Sequence, residues 1–254
     1  MEAPEAARLS TDAFVESWRL MKNDDVGVLE RDGIYCAGTG GAVPYCNQAL
    51  VFADPADPSG AVAAAITFFD ERALRFAVQV PHGSTVMSVV AAHGLVETGI
   101  MPFMILDPIE DSGWRAPPDS LDVMQARDGR DVDEINMILH ETFGMPMDSV
   151  LTFRLERFLD NDDVKMFIGR VDGNAVTTAT SVVIGEAAGI FQVGTLEQHR
   201  GKGFGEVMTA ESVRAAGDAG ARVAFLQASG SGFPIYKRMG FQTMTSHTMF
   251  ERPS

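Results

Sequence analysis

The sequence has little cysteine and no long apolar run, and these two shortages argue against a disulfide-rich protein and against a membrane-spanning protein. Its two cysteines, Cys36 and Cys46, lie in one loop-rich segment, which predicts free thiols rather than a disulfide framework or a Cys-x-x-Cys metal site. No run of about eighteen apolar residues occurs, so no membrane span is expected. The acidic start at residues 1–5 does not resemble a secretory signal. We therefore expect a cytoplasmic protein without a membrane partner.

Basic residues are also scarce. The chain has 20 Lys and Arg residues against 35 Asp and Glu residues, which gives a net charge of −15. Such a surface repels polyanions, so no nucleic acid partner is expected. Two explanations of the acidity stay open, namely solubility and attraction of a cationic amine substrate. The histidines are not spaced as metal ligands, which predicts that the protein has no metal site.

One stretch, residues 198–205 (QHRGKGFG, here called the glycine turn), combines glycines with two cations. It follows residues 189–196, which predict a strand, and it leads into apolar residues at helical spacing from Phe204 onward. A strand-to-helix turn leaves backbone N–H groups without partners, and the helix dipole adds partial positive charge there. The glycine turn therefore predicts a phosphate site, with a solvated surface turn as the alternative.

Two common phosphate motifs do not fit the glycine turn. A Walker loop requires Ser or Thr after Gly-Lys, whereas Lys202 is followed by Gly203 and Phe204. A dinucleotide fold requires G-x-G-x-x-G in a first βαβ unit, with an acidic residue about 20 positions later. Here the pattern is G-x-G-x-G, it comes late in the chain, and the strand from Ala221 has no acidic end.

Apolar periodicity predicts alternating strands and helices throughout, in one large or two small domains. In the first half it predicts helices over 10–22, 60–70 and 84–93 and strands over 27–36, 48–53, 74–79 and 100–106. In the second half it predicts strands over 121–126, 165–171, 175–183, 189–196 and 221–229 and helices over 131–143, 150–159, 204–216 and 232–239. Asp172-Gly173 predicts a hairpin turn, and Pro117-Pro118 marks a boundary. The cluster Gly38-Thr39-Gly40-Gly41 predicts a simple turn, with a second phosphate site as the alternative.

The glycine turn resembles the R-x-x-G-x-G signature of the GCN5-related N-acetyltransferases (GNATs), through Arg200, Gly203 and Gly205. A second landmark of that family is similar here, because Tyr236 on a short helix precedes Gly240-Phe241 at the start of a strand. The resemblance implies a mixed α/β fold whose mostly antiparallel central sheet is flanked by helices. Element order further suggests two pseudo-repeats, with a degenerate GNAT-like half at 1–118 and a catalytic domain at 119–254.

This resemblance implies that the protein transfers an acetyl group from acetyl-CoA, as cosubstrate, to the amine of a small molecule or a peptide. A CoA-binding sensor or scaffold without turnover is the alternative function, and a homodimer stays open. By analogy with the family, the strand residues would pair with the pantetheine arm and the turn would hold the diphosphate. The implied cofactor-binding residues are Val193, Gly194, Thr195, Arg200, Gly201, Lys202, Gly203, Phe204, Gly205 and Glu206.

Tyr236 occupies the position of the family's general acid, and a phenol with a pKa near ~10 keeps its proton at neutral pH. A packing role with a wet hydroxyl is the alternative. No general base is evident, so an ordered water also stays open. Titratable residues near the expected cleft are Glu186, His140, Glu141 and Asp148. Where the family often has Asn before the tyrosine helix, this chain has Ser229 and Ser231.

Overall fold

The structure is a computed structural model, and it describes residues 3–110 and 113–253. Its helices are α1 (Ala3–Met21), α2 (Pro58–Asp70), α3 (Val86–Ala92), α4 (Gly129–Phe143), α5 (Met147–Leu151), α6 (Phe204–Asp218) and α7 (Phe233–Arg238). Its strands are β1 (Val28–Arg31), β2 (Ile34–Gly38), β3 (Asn47–Val51), β4 (Ala77–Pro81), β5 (Val96–Leu106), β6 (Asp122–Gln125), β7 (Val164–Val171), β8 (Asn174–Ile184), β9 (Ala187–Thr195), β10 (Val223–Gln227) and β11 (Gln242–Glu251).

The chain forms two compact units that do not follow chain order. Unit 1 comprises Met1–Ala13 and Met104–Thr243, and unit 2 comprises Phe14–Phe103 and Met244–Ser254. The halves predicted at 1–118 and 119–254 refer to a sequence duplication, whereas the two units are defined by compactness. The predicted duplication therefore stays a prediction.

Unit 1 contains the glycine turn and a mixed sheet in the order β10-β9-β8-β7-β6. Neighbouring strands are antiparallel except β9 and β10, which are parallel and joined through α6. Helix α6 packs against β8 and β9 and buries Val207, Met208 and Val213 completely. This arrangement confirms the predicted mixed, mostly antiparallel sheet flanked by helices.

The hairpin predicted at Asp172-Gly173 is confirmed, because β7 pairs with β8 up to Val171 opposite Asn174. Both turn residues have positive φ, 51° and 79°, which suits the tight turns that match strand twist. The helix predicted over 150–159 is wrong. Helix α5 ends at Leu151 and a single 3-10 turn follows at Leu155–Phe158, because Arg154 between them is left-handed, with φ of 49°.

Unit 2 has the strand order β1-β2-β3-β4-β11-β5, in which β11 pairs antiparallel with β4. Its core contains Phe69 and Phe76, whose stacked rings lie 4.8 Å apart between centroids. The single strand predicted over 27–36 is wrong, since Asp32 and Gly33, with φ of 47° and 78°, turn the chain between β1 and β2.

Cys36 and Cys46 are both buried free thiols, which confirms the sequence prediction. Within the described part of the chain, no helix has the length and apolarity needed to cross a membrane. No group of three or more His, Cys, Asp or Glu side chains there is arranged to hold a metal ion.

Candidate functional site

Strands β9 and β10 pair over only part of their length, which leaves an opening beside β9. The parallel register runs from Ala187 opposite Val223 to Gly189 opposite Phe225. Strand β9 continues to Thr195, so residues 190–195 extend beyond the last paired position. The predicted pantetheine-binding residues 193–195 all lie in this unpaired part. Their backbone can therefore accept an extended ligand as an added strand.

A β-bulge bends β9 where the opening begins. Gly194 lies opposite Thr178 and Phe191 lies opposite Thr180, so Gln192 and Val193 share one partner position. Gln192 has a left-handed φ of 56°, and its side-chain Oε1 accepts a hydrogen bond from Thr180 Oγ1 at 2.8 Å. Such bulges redirect a strand and often lie beside active sites. The sequence gives no signal for this one, because glutamine does not favour a positive φ.

The end of β9 is fixed from two sides. Thr177 Oγ1 donates to the carbonyl of Gly194 at 2.7 Å and shares a hydrogen bond of 2.8 Å with the hydroxyl of Thr195. On the other side, a Cβ at Gly194 would lie 3.3 Å from Thr142 Cγ2, so a larger residue would require the Thr142 side chain to shift. The backbone at the end of β9 is therefore held by hydrogen bonds on one side and packed against α4 on the other.

The glycine turn leaves six consecutive backbone N–H groups free. Gly201 and Gly203 have φ of 75° and 84°, and α6 begins at Phe204 without a side-chain cap. The first amide that bonds into the helix is that of Val207, which donates to the carbonyl of Gly203 at 3.1 Å. Amides 201–206 donate to no acceptor in residues 3–110 and 113–253. They lie at the positive end of the α6 dipole, an arrangement that favours a bound anion.

The predicted cations differ in how they are held. Arg200 Nε donates to the carbonyl of Thr195 at 3.1 Å, so this side chain ties the glycine turn to the end of β9. Lys202 is exposed, with Nζ 6.0 Å from the centroid of the buried Phe204 ring. Glu206 lies 3.7 Å from the Arg238 guanidinium, which balances its negative charge. Lys202 is thus the predicted cation whose charged end is not committed to another group of the turn.

A third cation, which the sequence analysis missed, lies on the glycine turn. A Cβ added at Gly203 would clash with the Arg115 guanidinium, whose Cζ would be 2.7 Å away. The neighbouring Trp114 is only 8% exposed and packs in the unit 1 core, where its Nε1 donates to the carbonyl of Met239 at 3.0 Å. Asp111 and Ser112 of the loop predicted as a boundary lie outside the described residues.

Tyr236 lies on α7 in the same apolar cluster as Trp114 and is 8% exposed. Burial raises the pKa of its phenol to about 12, although a side-chain hydrogen bond with Thr209 acts in the opposite direction. Thr209 Oγ1 donates to the carbonyl of Gly205 at 2.8 Å, so Tyr236 adjoins the first turns of α6. Its phenol therefore stays protonated throughout the physiological range.

The titratable residues considered as general bases differ in their positions and contacts. Glu186 precedes β9 at the end opposite residues 193–195, and its carboxylate pairs with Arg222 at 3.2 Å, so it is unsuited to that role. His140 Nδ1 is 2.6 Å from the carbonyl of Met145, to which it donates. Glu141 and Asp148 are exposed.

Ser229 and Ser231 precede α7, and their contacts are local. Ser229 Oγ accepts a hydrogen bond from the amide of Gly232 at 3.1 Å and lies 3.2 Å from Ser231 Oγ. Ser229 therefore organises the entry to α7.

In unit 2, helix α2 follows β3 and leads to the parallel strand β4, much as α6 joins β9 to β10. The amino end of α2 is closed by the protein's own carboxylates. Asp57 accepts from the amide of Gly60 at 3.0 Å, and Asp32 accepts from the amides of Ala56 and Asp57 at 2.9 and 2.8 Å. These backbone hydrogen bonds, first from Asp57 and then from Ala56, lower the pKa of Asp32.

Gly38 ends β2, and residues 39–41 begin the irregular connection to β3 rather than the predicted simple turn. The amide of Thr39 donates to the carbonyl of Cys46 at 2.8 Å, and the amide of Gly40 donates to Asn47 Oδ1 at 3.1 Å. These amides are already paired within this connection, so a second phosphate site is not supported here.

Residues 125–244 match a family model described as an acetyltransferase (GNAT) domain. A GCN5-related N-acetyltransferase from Kribbella flavida has a similar structure, with a TM-score of 0.76 and 18% identity over 98% of this chain and 96% of that one. A second GCN5-related N-acetyltransferase, from Sphaerobacter thermophilus, has a TM-score of 0.65 and 16% identity, over 87% of this chain and 78% of that one. A tandem GNAT protein from the clavulanic acid biosynthesis pathway has a TM-score of 0.59 and 13% identity, over 87% of this chain and 79% of that one. No curated protein matches the chain.

Proposed function

We propose that the chain transfers an acetyl group from acetyl-CoA to an amine of a small molecule or peptide, since residues 125–244 match the model of an acetyltransferase (GNAT) domain. The observation that carries this proposal is the run of free amides at residues 201–206 beside the opening between β9 and β10. A diphosphate and an extended pantetheine arm match these two features in charge and shape.

The glycine turn and the end of β9 would each bind a different part of CoA. Amides 201–206 supply hydrogen-bond donors for the diphosphate oxygens, and Lys202 adds positive charge. Arg200 acts mainly by holding the turn against Thr195, because its Nε is already committed to that carbonyl. Residues 193–195 extend β9 beyond its pairing with β10, so this edge can bind the pantetheine arm as an edge strand binds a peptide. The carbonyls of Gly194 and Thr195 already accept from Thr177 and Arg200, so each would accept a pantetheine amide as a second donor.

Acetyl-CoA supplies a thioester carbonyl that an amine can attack. The reaction forms the new C–N bond, breaks the C–S bond, and requires a proton for the departing sulfur. Tyr236 is our proposed donor, because it adjoins the first turns of α6 beside the proposed cofactor site and its hydroxyl carries a proton at neutral pH. The attacking amine must be neutral and gives up its proton to solvent, and we assign no side chain to that step.

We also propose that unit 2 is a degenerate copy without a cofactor site. At the amino end of α2, Asp32 and Asp57 already occupy the amides that a diphosphate would need. Their negative charge would in addition repel a phosphate. The contrast with the free amides 201–206 supports a single active site per chain.

Calorimetric titration with acetyl-CoA and with CoA, combined with a thiol-release assay against a panel of amines, tests the proposal. We expect binding of both and thiol release with at least one amine. Absence of binding would overturn the proposed function. Binding without thiol release from any amine would instead support a CoA-binding sensor.

A further inference from the structure

Arg115 contacts the glycine turn although it lies outside the family-matched residues 125–244. Its guanidinium covers the Cα of Gly203, the residue directly before α6. Positions 201–206, with their free amides, surround this point. The contact therefore brings a planar, permanently charged group to the place where the diphosphate is proposed to bind.

Trp114 anchors the backbone directly before Arg115. Besides its hydrogen bond to the carbonyl of Met239, the Trp114 ring has the Arg214 guanidinium 5.8 Å from its centroid. Because Trp114 is buried in the unit 1 core, the next residue in the chain has a limited range of positions. Arg115 itself is exposed, so its charged end is accessible to a ligand.

The positive charges near the glycine turn favour the binding of an anion. Within residues 3–110 and 113–253, none of Arg115, Arg200 and Lys202 forms an ion pair with a carboxylate. Their positive charges gather at the helix end that already carries partial positive charge. Like charges grouped in this way repel one another until an anion binds between them. A diphosphate carries the charge required.

We propose that Arg115 binds the diphosphate of CoA together with amides 201–206, so that a residue outside the family-matched segment completes the cofactor site. This inference rests on the proposed function. A guanidinium presents paired N–H donors that match two phosphate oxygens, which a lysine ammonium does not. Arg115 is thus a binding residue for cofactor affinity rather than a group that takes part in proton transfer.

The test compares the affinities of the full chain and its Arg115→Ala variant for CoA and for dephospho-CoA, which keeps the diphosphate and lacks the 3′-phosphate. We expect Arg115→Ala to lower the affinity for both ligands equally, by at least about tenfold, because one charged hydrogen bond to the diphosphate is lost. Arg115→Lys should recover part of the loss. The matched control is Arg130→Ala, which removes an equal charge from an 84% exposed side chain of the same unit and should leave both affinities unchanged.

Three outcomes would overturn the role of Arg115. The first is an unchanged affinity of Arg115→Ala for both ligands. The second is a loss of affinity confined to CoA, which would place Arg115 at the 3′-phosphate. The third is tighter binding by the variant, which would mean that the guanidinium obstructs the site. Each of them requires that the unaltered chain binds CoA. If the unaltered chain binds neither ligand, the proposed function itself fails, so the two failures are distinguishable.

Discussion

Alanine substitutions at Gly201 and Gly203 separate the two demands that the structure makes on the glycine turn. Both residues have a positive φ, 75° and 84°, which costs a residue with a Cβ about 1–2 kcal/mol. We therefore expect Gly201→Ala and Gly203→Ala to lower the free energy of unfolding by similar amounts. A Cβ at 201 has no heavy atom within 4 Å, whereas a Cβ at 203 displaces the Arg115 guanidinium.

The two variants should differ in CoA affinity. Displacing Arg115 removes one charged hydrogen bond, about 1.5 kcal/mol, so Gly203→Ala should bind CoA roughly tenfold more weakly than Gly201→Ala. Calorimetry on both variants, with denaturant unfolding as the stability control, measures this difference. In an Arg115→Ala background the difference should vanish, because the displaced group is already absent. Equal CoA affinities for the two variants, or a difference that persists in that background, would refute the reasoning.

Three further predictions concern catalysis, acid stability and the closed helix end in unit 2. Tyr236→Phe should lower the rate of thiol release by about a hundredfold with unchanged CoA affinity, and full activity would remove Tyr236 as the acid. Burial lowers the pKa of His247 from 6.5 to about 4, so below pH 6.5 the unfolded chain binds a proton that the folded chain does not. Denaturant unfolding should therefore show a loss of about 3 kcal/mol as the pH falls from 6.5 to 4, and His247→Phe should abolish that loss; an equal loss in the variant would exclude His247 as its cause. Asp57→Ala should destabilise α2 by about 1 kcal/mol and leave one CoA bound per chain, whereas unchanged stability would contradict its capping role.

Local patterns in the sequence predicted the elements around the site, because each depends on neighbouring residues. The glycine turn combines φ-permissive residues with the apolar spacing of α6, and both signals lie within a short window. The same kind of signal, Asp-Gly, is present at Asp32-Gly33, where the surrounding β-rich residues favour one continuous strand. Helix propensity over 150–159 was overridden at Arg154, whose left-handed conformation interrupts the helical backbone.

Features that depend on tertiary contacts could not be predicted from the sequence. Arg115 lies 88 positions before Gly203 in the chain, and nothing near it indicates a binding role. The left-handed conformation of Gln192 also has no local sequence signal, since the bulge depends on the pairing of β9 with β8. The partner of β11 is also non-local, because strand pairing over long separations leaves no local pattern.

The pairing of β11 with β4 has a consequence for biosynthesis. A ribosome completes β4 at Pro81 and must then translate residues 82–246, which include the segment Met104–Thr243 of unit 1, before His247 can pair with the edge of β4. During that interval β4 presents unpaired backbone groups on one side, and such an edge is a template for association with other chains. Premature termination within residues 104–243 would make this exposure permanent, so chains that end there should aggregate.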